Sequence, residues 1–158
     1  LKTNSQRLAL ITGATRTMGI GAAAARELAR AGLDIFFTTY TPYDATMPWG
    51  VQQHEPAALL AEVQALGVRA AYLEIDLAQP DSAVRLFDHI ESTLGSVDVL
   101  VNNAAYSVNG GITDLTAEML DRHYAVNMRG MMLLCREFVR RWQKISGGRI
   151  INLTSGQG

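Results

Sequence analysis

A chain of 158 residues suits one domain of ordinary size, long enough to bury a core and too short for two. Its 14 Lys and Arg against 15 Asp and Glu leave a net charge of −1 with the basic residues scattered, which excludes the electrostatic footprint of a nucleic-acid binder. A hydrophobic share of 48% against 18% charged residues excludes a disordered chain, and no apolar run approaches the roughly 18 residues of a membrane span.

In chain order, Leu8 to Thr12 is a short apolar run that predicts a first strand. The segment from Thr12 to Gly21 follows, with Gly13, Gly19 and Gly21 between strand and helix. Such a turn lets backbone approach a pyrophosphate seated on the helix N–H groups; the same glycines also fit a turn that needs them for geometry alone. Ile20 to Ala31 is Ala-rich and stops at Gly32, as a helix does. Ile35 to Thr39 is a second strand, and Tyr40 to Glu55, with Pro42, Pro48, Trp49 and Gly50, reads as a loop.

Pro56 can open the next helix, with Leu59, Val63 and Leu66 on one face and Gly67 as its stop. Ala71 to Ile75 is a third strand ending at Asp76. Asp81 or Ser82 caps a further helix with a buried stripe of Val84, Phe87, Ile90 and Leu94 and a stop at Gly95. Val97 to Asn102 is a fourth strand, leading into Asn103, Ala104 and Ala105, and Tyr106 to Leu115 is a second loop.

The longest helix runs from Thr116, its cap, to about Lys144. Leu120, Tyr124, Asn127, Met131, Leu134, Phe138 and Trp142 recur on it at steps of three or four, while Met128, Met132 and Val139 lie off that line. Asn127 alone in that stripe is polar, and taken by itself it also fits a buried amide satisfied by backbone. Cys135, the single cysteine, cannot form an intramolecular disulfide, and no leader pattern opens the sequence, so a cytoplasmic protein is expected. Arg149 to Thr154 is a fifth strand, with Ser155 at its end.

Strands alternating with helices predict an α/β fold: a doubly wound parallel sheet of Rossmann type, residues 1–158 forming a single dinucleotide-binding domain. Gly13, Asp76, Asn103 and Ser155 then share the carboxyl edge of the sheet, where such folds bind ligands. The fold reads as incomplete at its C-terminal end, because Gly158 follows directly on a strand. The intact protein is therefore expected to continue by roughly 90 residues.

With these residues in place, the sequence resembles the classical short-chain dehydrogenases/reductases. Their pattern is a TGxxxGxG loop, an Asp after the third strand, NNAG after the fourth, an Asn in the long helix and a Ser after GRIxNxSS. The 3-oxoacyl-acyl-carrier-protein reductases are the nearest in look. The resemblance implies that Gly13, Thr15, Arg16, Thr17, Met18 and Gly19 form the cofactor turn. It puts Asp76 and Leu77 at the adenine edge, with Asn103 and Ala104 lining the groove. It further implies that Asn127 anchors a proton relay and that Ser155 hydrogen-bonds the substrate carbonyl. No metal site is expected.

This sequence departs from the pattern at three places. Thr17 stands where the middle glycine belongs, so a glycine-only backbone is closed to it. Ala105 replaces the glycine of NNAG. The Tyr and Lys of YxxxK are absent: four residues after Tyr40, Tyr43, Tyr72, Tyr106 and Tyr124 come Asp44, Met47, Asp76, Gly110 and Met128.

At the end of the second strand no acid precedes Asp44, and Arg16 lies in the glycine turn, where NADP-preferring members carry a basic residue. Both favour NADP(H) over NAD(H), although Arg16 alone also fits a solvated loop charge. The expectation is an oxidoreductase passing hydride between nicotinamide and a small carbonyl or acyl substrate such as a 3-oxoacyl thioester. These 158 residues alone should be inactive, and the intact protein a homodimer or homotetramer without nucleic-acid or membrane partners. The alternative is a non-catalytic dinucleotide-binding module.

Overall fold

Short runs of apolar residues too brief for helices pair here as five parallel strands. In a computed structural model that describes residues 6–154, they are β1 (Leu8–Ile11), β2 (Asp34–Thr39), β3 (Ala70–Glu74), β4 (Val99–Asn102) and β5 (Arg149–Asn152). The order across the sheet is β3-β2-β1-β4-β5, with Leu10 of β1 level with Phe36 of β2 on one side and Leu100 of β4 on the other. Every residue of β1, β2 and β4 is buried, as a sheet covered on both faces requires.

Alternate side chains enter two cores. Ala9, Ile11, Ile35 and Phe37 pack under α1 (Ile20–Arg30) and α3 (Glu55–Gln64), where Ala22, Ala25 and Ala29 let α1 come close. Leu8, Leu10, Phe36 and Leu100 pack under α4 (Ser82–Thr93) and α6 (Met131–Arg141), against Leu86, Phe87, Leu134 and Phe138. Helices on both faces of a parallel sheet make the predicted doubly wound architecture. Ala31 caps the C-terminus of α1, and Gly32 follows at φ 85°.

Several details differ from the sequence expectation. Leu66 falls beyond the end of α3 and is exposed, and Val84 is exposed while Leu86 fills the core in its place. Asp81 precedes α4 without a side-chain capping bond. Loop 40–55 contains a single turn of helix, α2 (Thr41–Asp44), and loop 106–115 a 3₁₀ turn at Ile112–Asp114.

The long helix is three pieces in line. Thr116 caps α5 (Ala117–His123) by accepting from the Met119 N–H at 3.1 Å. A π-helical segment, Tyr124–Gly130, then joins α5 to α6. Bonding from i to i+5 shifts the phase of the helix, so the stripe is not continuous. Leu134 and Phe138 are buried, whereas Leu120 and Tyr124 are more than half exposed.

Candidate functional site

The strand order reverses direction between β1 and β4, and the chain leaves both strands at the same edge. There the two exits are tied together. Thr12, buried at the end of β1, accepts from the Asn103 N–H at 3.1 Å and the Ala104 N–H at 3.0 Å. Asn103 Nδ2 donates back to the Thr12 and Gly13 carbonyls at 2.8 and 2.9 Å.

Glycine is required where these segments touch. Gly13 has φ 70°, and a Cβ there would sit 2.7 Å from Ala104 Cα; a Cβ on Gly21 would sit 2.6 Å from Asn103 Nδ2. The turn is also fixed to the end of β2, because the Gly13 N–H donates to Thr38 Oγ1 and the Ala14 N–H to the Thr38 carbonyl.

Thr17 resolves the first departure in its own way. Among the described residues no non-glycine has a positive φ, so Thr17 takes an ordinary backbone conformation. Its N–H and hydroxyl both donate to Glu55 Oε1, at 3.1 and 2.7 Å, and Arg26 donates to its carbonyl at 2.8 Å. Side-chain bonds to α3 thus hold the turn. Gly19, at φ −84°, caps α1, whose first N–H groups have no helical carbonyls to meet.

A cavity of about 520 Å³ opens over this edge. Gly13, Thr15, Arg16, Met18 and Gly19 line it from the turn, and Asp76, Leu77, Asn103 and Ala104 from the ends of β3 and β4. Thr17 is not among the lining residues. Asn127 also lies off the cavity: its Oδ1 accepts from the Tyr106 N–H at 2.7 Å and its Nδ2 donates to the Tyr106 carbonyl at 2.8 Å. It is therefore not a buried amide but the tie that holds loop 106–115 to the π segment. Ser155 lies outside the described residues.

Residues that sequence reasoning did not single out complete the walls. Arg122 of α5 enters the cavity 3.7 Å from Asp76, and the Tyr40 hydroxyl donates to the same carboxylate at 3.2 Å. Burial, and then the charge of Asp76, hold the Tyr40 phenol above its ordinary range. Burial pulls Arg122 down, but its bond to Tyr40 and the charge of Asp76 outweigh it and the net shift is upward. Asp76 also accepts from the Ala78 N–H, capping its own turn.

Loop 40–55 supplies the outer wall. The Tyr43 hydroxyl donates to the Ser107 carbonyl at 3.0 Å, and the Arg16 guanidinium lies over the Trp49 ring, 4.4 Å from its centre. The signal for this wall was the aromatic content of a loop at a strand's carboxyl end, but its contacts depend on closure of the whole fold. Among the described residues no group of three His, Cys, Asp or Glu converges as a metal site, and no helix is long and apolar enough to cross a membrane.

Residues 7–158 match the family model for short chain dehydrogenase. The uncharacterized oxidoreductase YjdA of Bacillus subtilis is 41% identical over 156 residues, covering 98% of this chain and 59% of that protein. A short-chain dehydrogenase/reductase of Pestalotiopsis microspora is 32% identical, covering 94% of this chain and 51% of its own length. The chain thus spans a little over half the length of these relatives. Among solved structures, a metagenomic short-chain oxidoreductase in complex with NADP superposes with a TM-score of 0.80 at 30% identity, covering 96% of this chain and 63% of that one. A short chain dehydrogenase from Burkholderia cenocepacia in complex with NADP gives 0.79 at 32% identity, covering 94% and 54%.

Proposed function

The chain belongs to the short-chain dehydrogenase family, and on that premise we propose that it forms the cofactor-binding part of an NADP(H)-dependent oxidoreductase acting on a carbonyl or alcohol. The observation that carries this reading is the cavity at the sheet's switch point, with the first turn of α1 and Arg16 on its wall.

The residues fit a dinucleotide. The first N–H groups of α1 suit a pyrophosphate, and Gly13 and Gly19 keep the turn low enough for it to approach. Asp76 and Leu77 would border the adenine, with Asn103 and Ala104 along the groove. Along the chain no acid follows β2 until Asp44, which accepts from the Trp49 indole N–H at 3.0 Å, while Glu74, level with Thr39 on β3, is engaged by the Thr41 hydroxyl at 2.6 Å. Arg16 is the basic residue that the turn itself places on the cavity wall, suited to a 2′-phosphate, and the NADP-bound relatives support the same choice.

When bound, the cofactor supplies or accepts a hydride at the carbonyl carbon. On this reading Ser155 orients the substrate oxygen, while Asn127 fixes the backbone of Tyr106 beside the groove and anchors the proton path. No Tyr in the sequence precedes a Lys by four residues, so a polypeptide of these 158 residues should bind nucleotide and show no reductase activity. 3-Oxoacyl thioesters are the first substrates to test, and a homodimer or homotetramer is the proposed assembly.

Arg16→Ala in the full-length protein should weaken NADPH binding by about 1.5–3 kcal/mol, the scale of a charged hydrogen bond, and hardly alter NADH binding. Titration of both nucleotides tests this. Equal losses would mean that Arg16 does not read a 2′-phosphate.

A further inference from the structure

A loop arginine reaches a phosphate well only if its guanidinium is held where the phosphate arrives. An arginine on an exposed turn has many rotamers, and ordering it opposes binding. Arg16 is not free in this way, because its guanidinium lies over the ring of Trp49, 33 residues further along, 4.4 Å from the ring centre.

A contact with the ring face uses none of the guanidinium N–H groups in a hydrogen bond to an acceptor atom, so they stay available to a phosphate. The indole is itself anchored. Its Nε1–H donates to Asp44 Oδ1 at 3.0 Å, and Asp44 is only 6% exposed at the end of α2. Arg16, Asp44 and Trp49 all line the same cavity.

We propose that Trp49, anchored by Asp44, is the positioning residue for recognition of a 2′-phosphate, an inference that rests on the NADP(H) reading of the site. Trp49 does two things through two contacts. The ring face orders Arg16 before ligand arrives, and the indole N–H engages the Asp44 carboxylate, which lines the same cavity. The preference for a 2′-phosphorylated nucleotide therefore depends on loop 40–55 as well as on the glycine turn.

The test uses the full-length protein with adenosine 2′,5′-bisphosphate and adenosine 5′-monophosphate as probes, so no catalysis is involved. Trp49→Leu should weaken the bisphosphate about tenfold and the monophosphate by less than about twofold, within the range of a cation–π contact. Trp49→Phe, which keeps an aromatic face, should recover most of the loss. If Trp49→Leu leaves the ratio of the two affinities unchanged while Arg16→Ala lowers it, the role of Trp49 falls and the NADP(H) reading stands. If Arg16→Ala also leaves the ratio unchanged, both fall.

A second readout needs no change at Trp49. The second tryptophan of these 158 residues, Trp142, stacks on Phe138 in the opposite core, so with Trp142 and every tryptophan outside these residues replaced by Phe, Trp49 is the emitter. The bisphosphate should shift its emission and the monophosphate should not; identical responses would overturn the proposal.

Discussion

Gly13 meets two demands that can be separated by substitution. Its φ of 70° disfavours any side chain, and its Cα faces Ala104 so closely that a Cβ would lie 2.7 Å from backbone. Gly32 has a φ of 85° but nothing within 4 Å of a Cβ. Gly32→Ala should therefore cost about 1 kcal/mol from backbone strain alone. Gly13→Ala should cost about 2–4 kcal/mol, because overpacking adds to that strain. Urea unfolding of both variants compares them, and equal losses would show that the contact between the two turns carries no energy. Gly13 is readable from its motif. The replacement of a motif glycine by Thr17 is readable too, but its remedy through Glu55 is not, because those residues are 38 apart and meet only when α3 packs beside α1.

At the scale of elements, α6 is joined to α4 through charge. Glu137, almost wholly buried, accepts from Arg140 and Arg141, and Arg141 reaches Asp88 and Glu91 on α4 at 2.7 and 2.9 Å. The Arg140 hydrogen bonds are the chief reason that the Glu137 carboxyl stays below its usual range; burial opposes this and Arg141 adds to it. A carboxylate with a depressed folded value stabilises the fold fully above its unfolded value, near 4.3, and loses that contribution as pH falls through the lower folded value. Glu137→Gln should thus lower the melting temperature by a constant amount above about pH 5, and the difference should shrink in more acid solution. Melting curves between pH 7 and pH 3 check this, and a difference that does not change with pH would contradict it. The helices themselves were readable from period and stop residues. The π segment was not: nothing in the period of Leu120 to Phe138 announces an i to i+5 turn, and Leu120 before it and Tyr124 at its start are more than half exposed.

For the whole molecule, five apolar runs and the helices between them were enough to give a parallel doubly wound sheet, because burial on both faces leaves a continuous hydrophobic signature. The cavity's inner wall followed from knowing which ends of the strands share an edge. Its outer wall did not, since Tyr43 with Ser107 and Arg16 with Trp49 depend on how two loops close over that edge. Met128, Met132 and Val139 lie on the outer side of the long helix, each more than half exposed, as their offset from the buried stripe implied. If this face joins copies of the chain in the proposed assembly, Met132→Glu should convert the full-length oligomer to smaller species by light scattering at micromolar concentration. An unchanged mass would remove that face from the interface.

A crystal structure of the full-length protein grown with NADP tests whether the cavity at the β1–β4 switch point holds NADP(H). The predicted result is a pyrophosphate against the first N–H groups of α1 and a 2′-phosphate within hydrogen-bond distance of Arg16. A dinucleotide seated elsewhere would rule out this cavity as the NADP(H) site, and a 2′-phosphate turned away from Arg16 would remove Arg16 from its recognition.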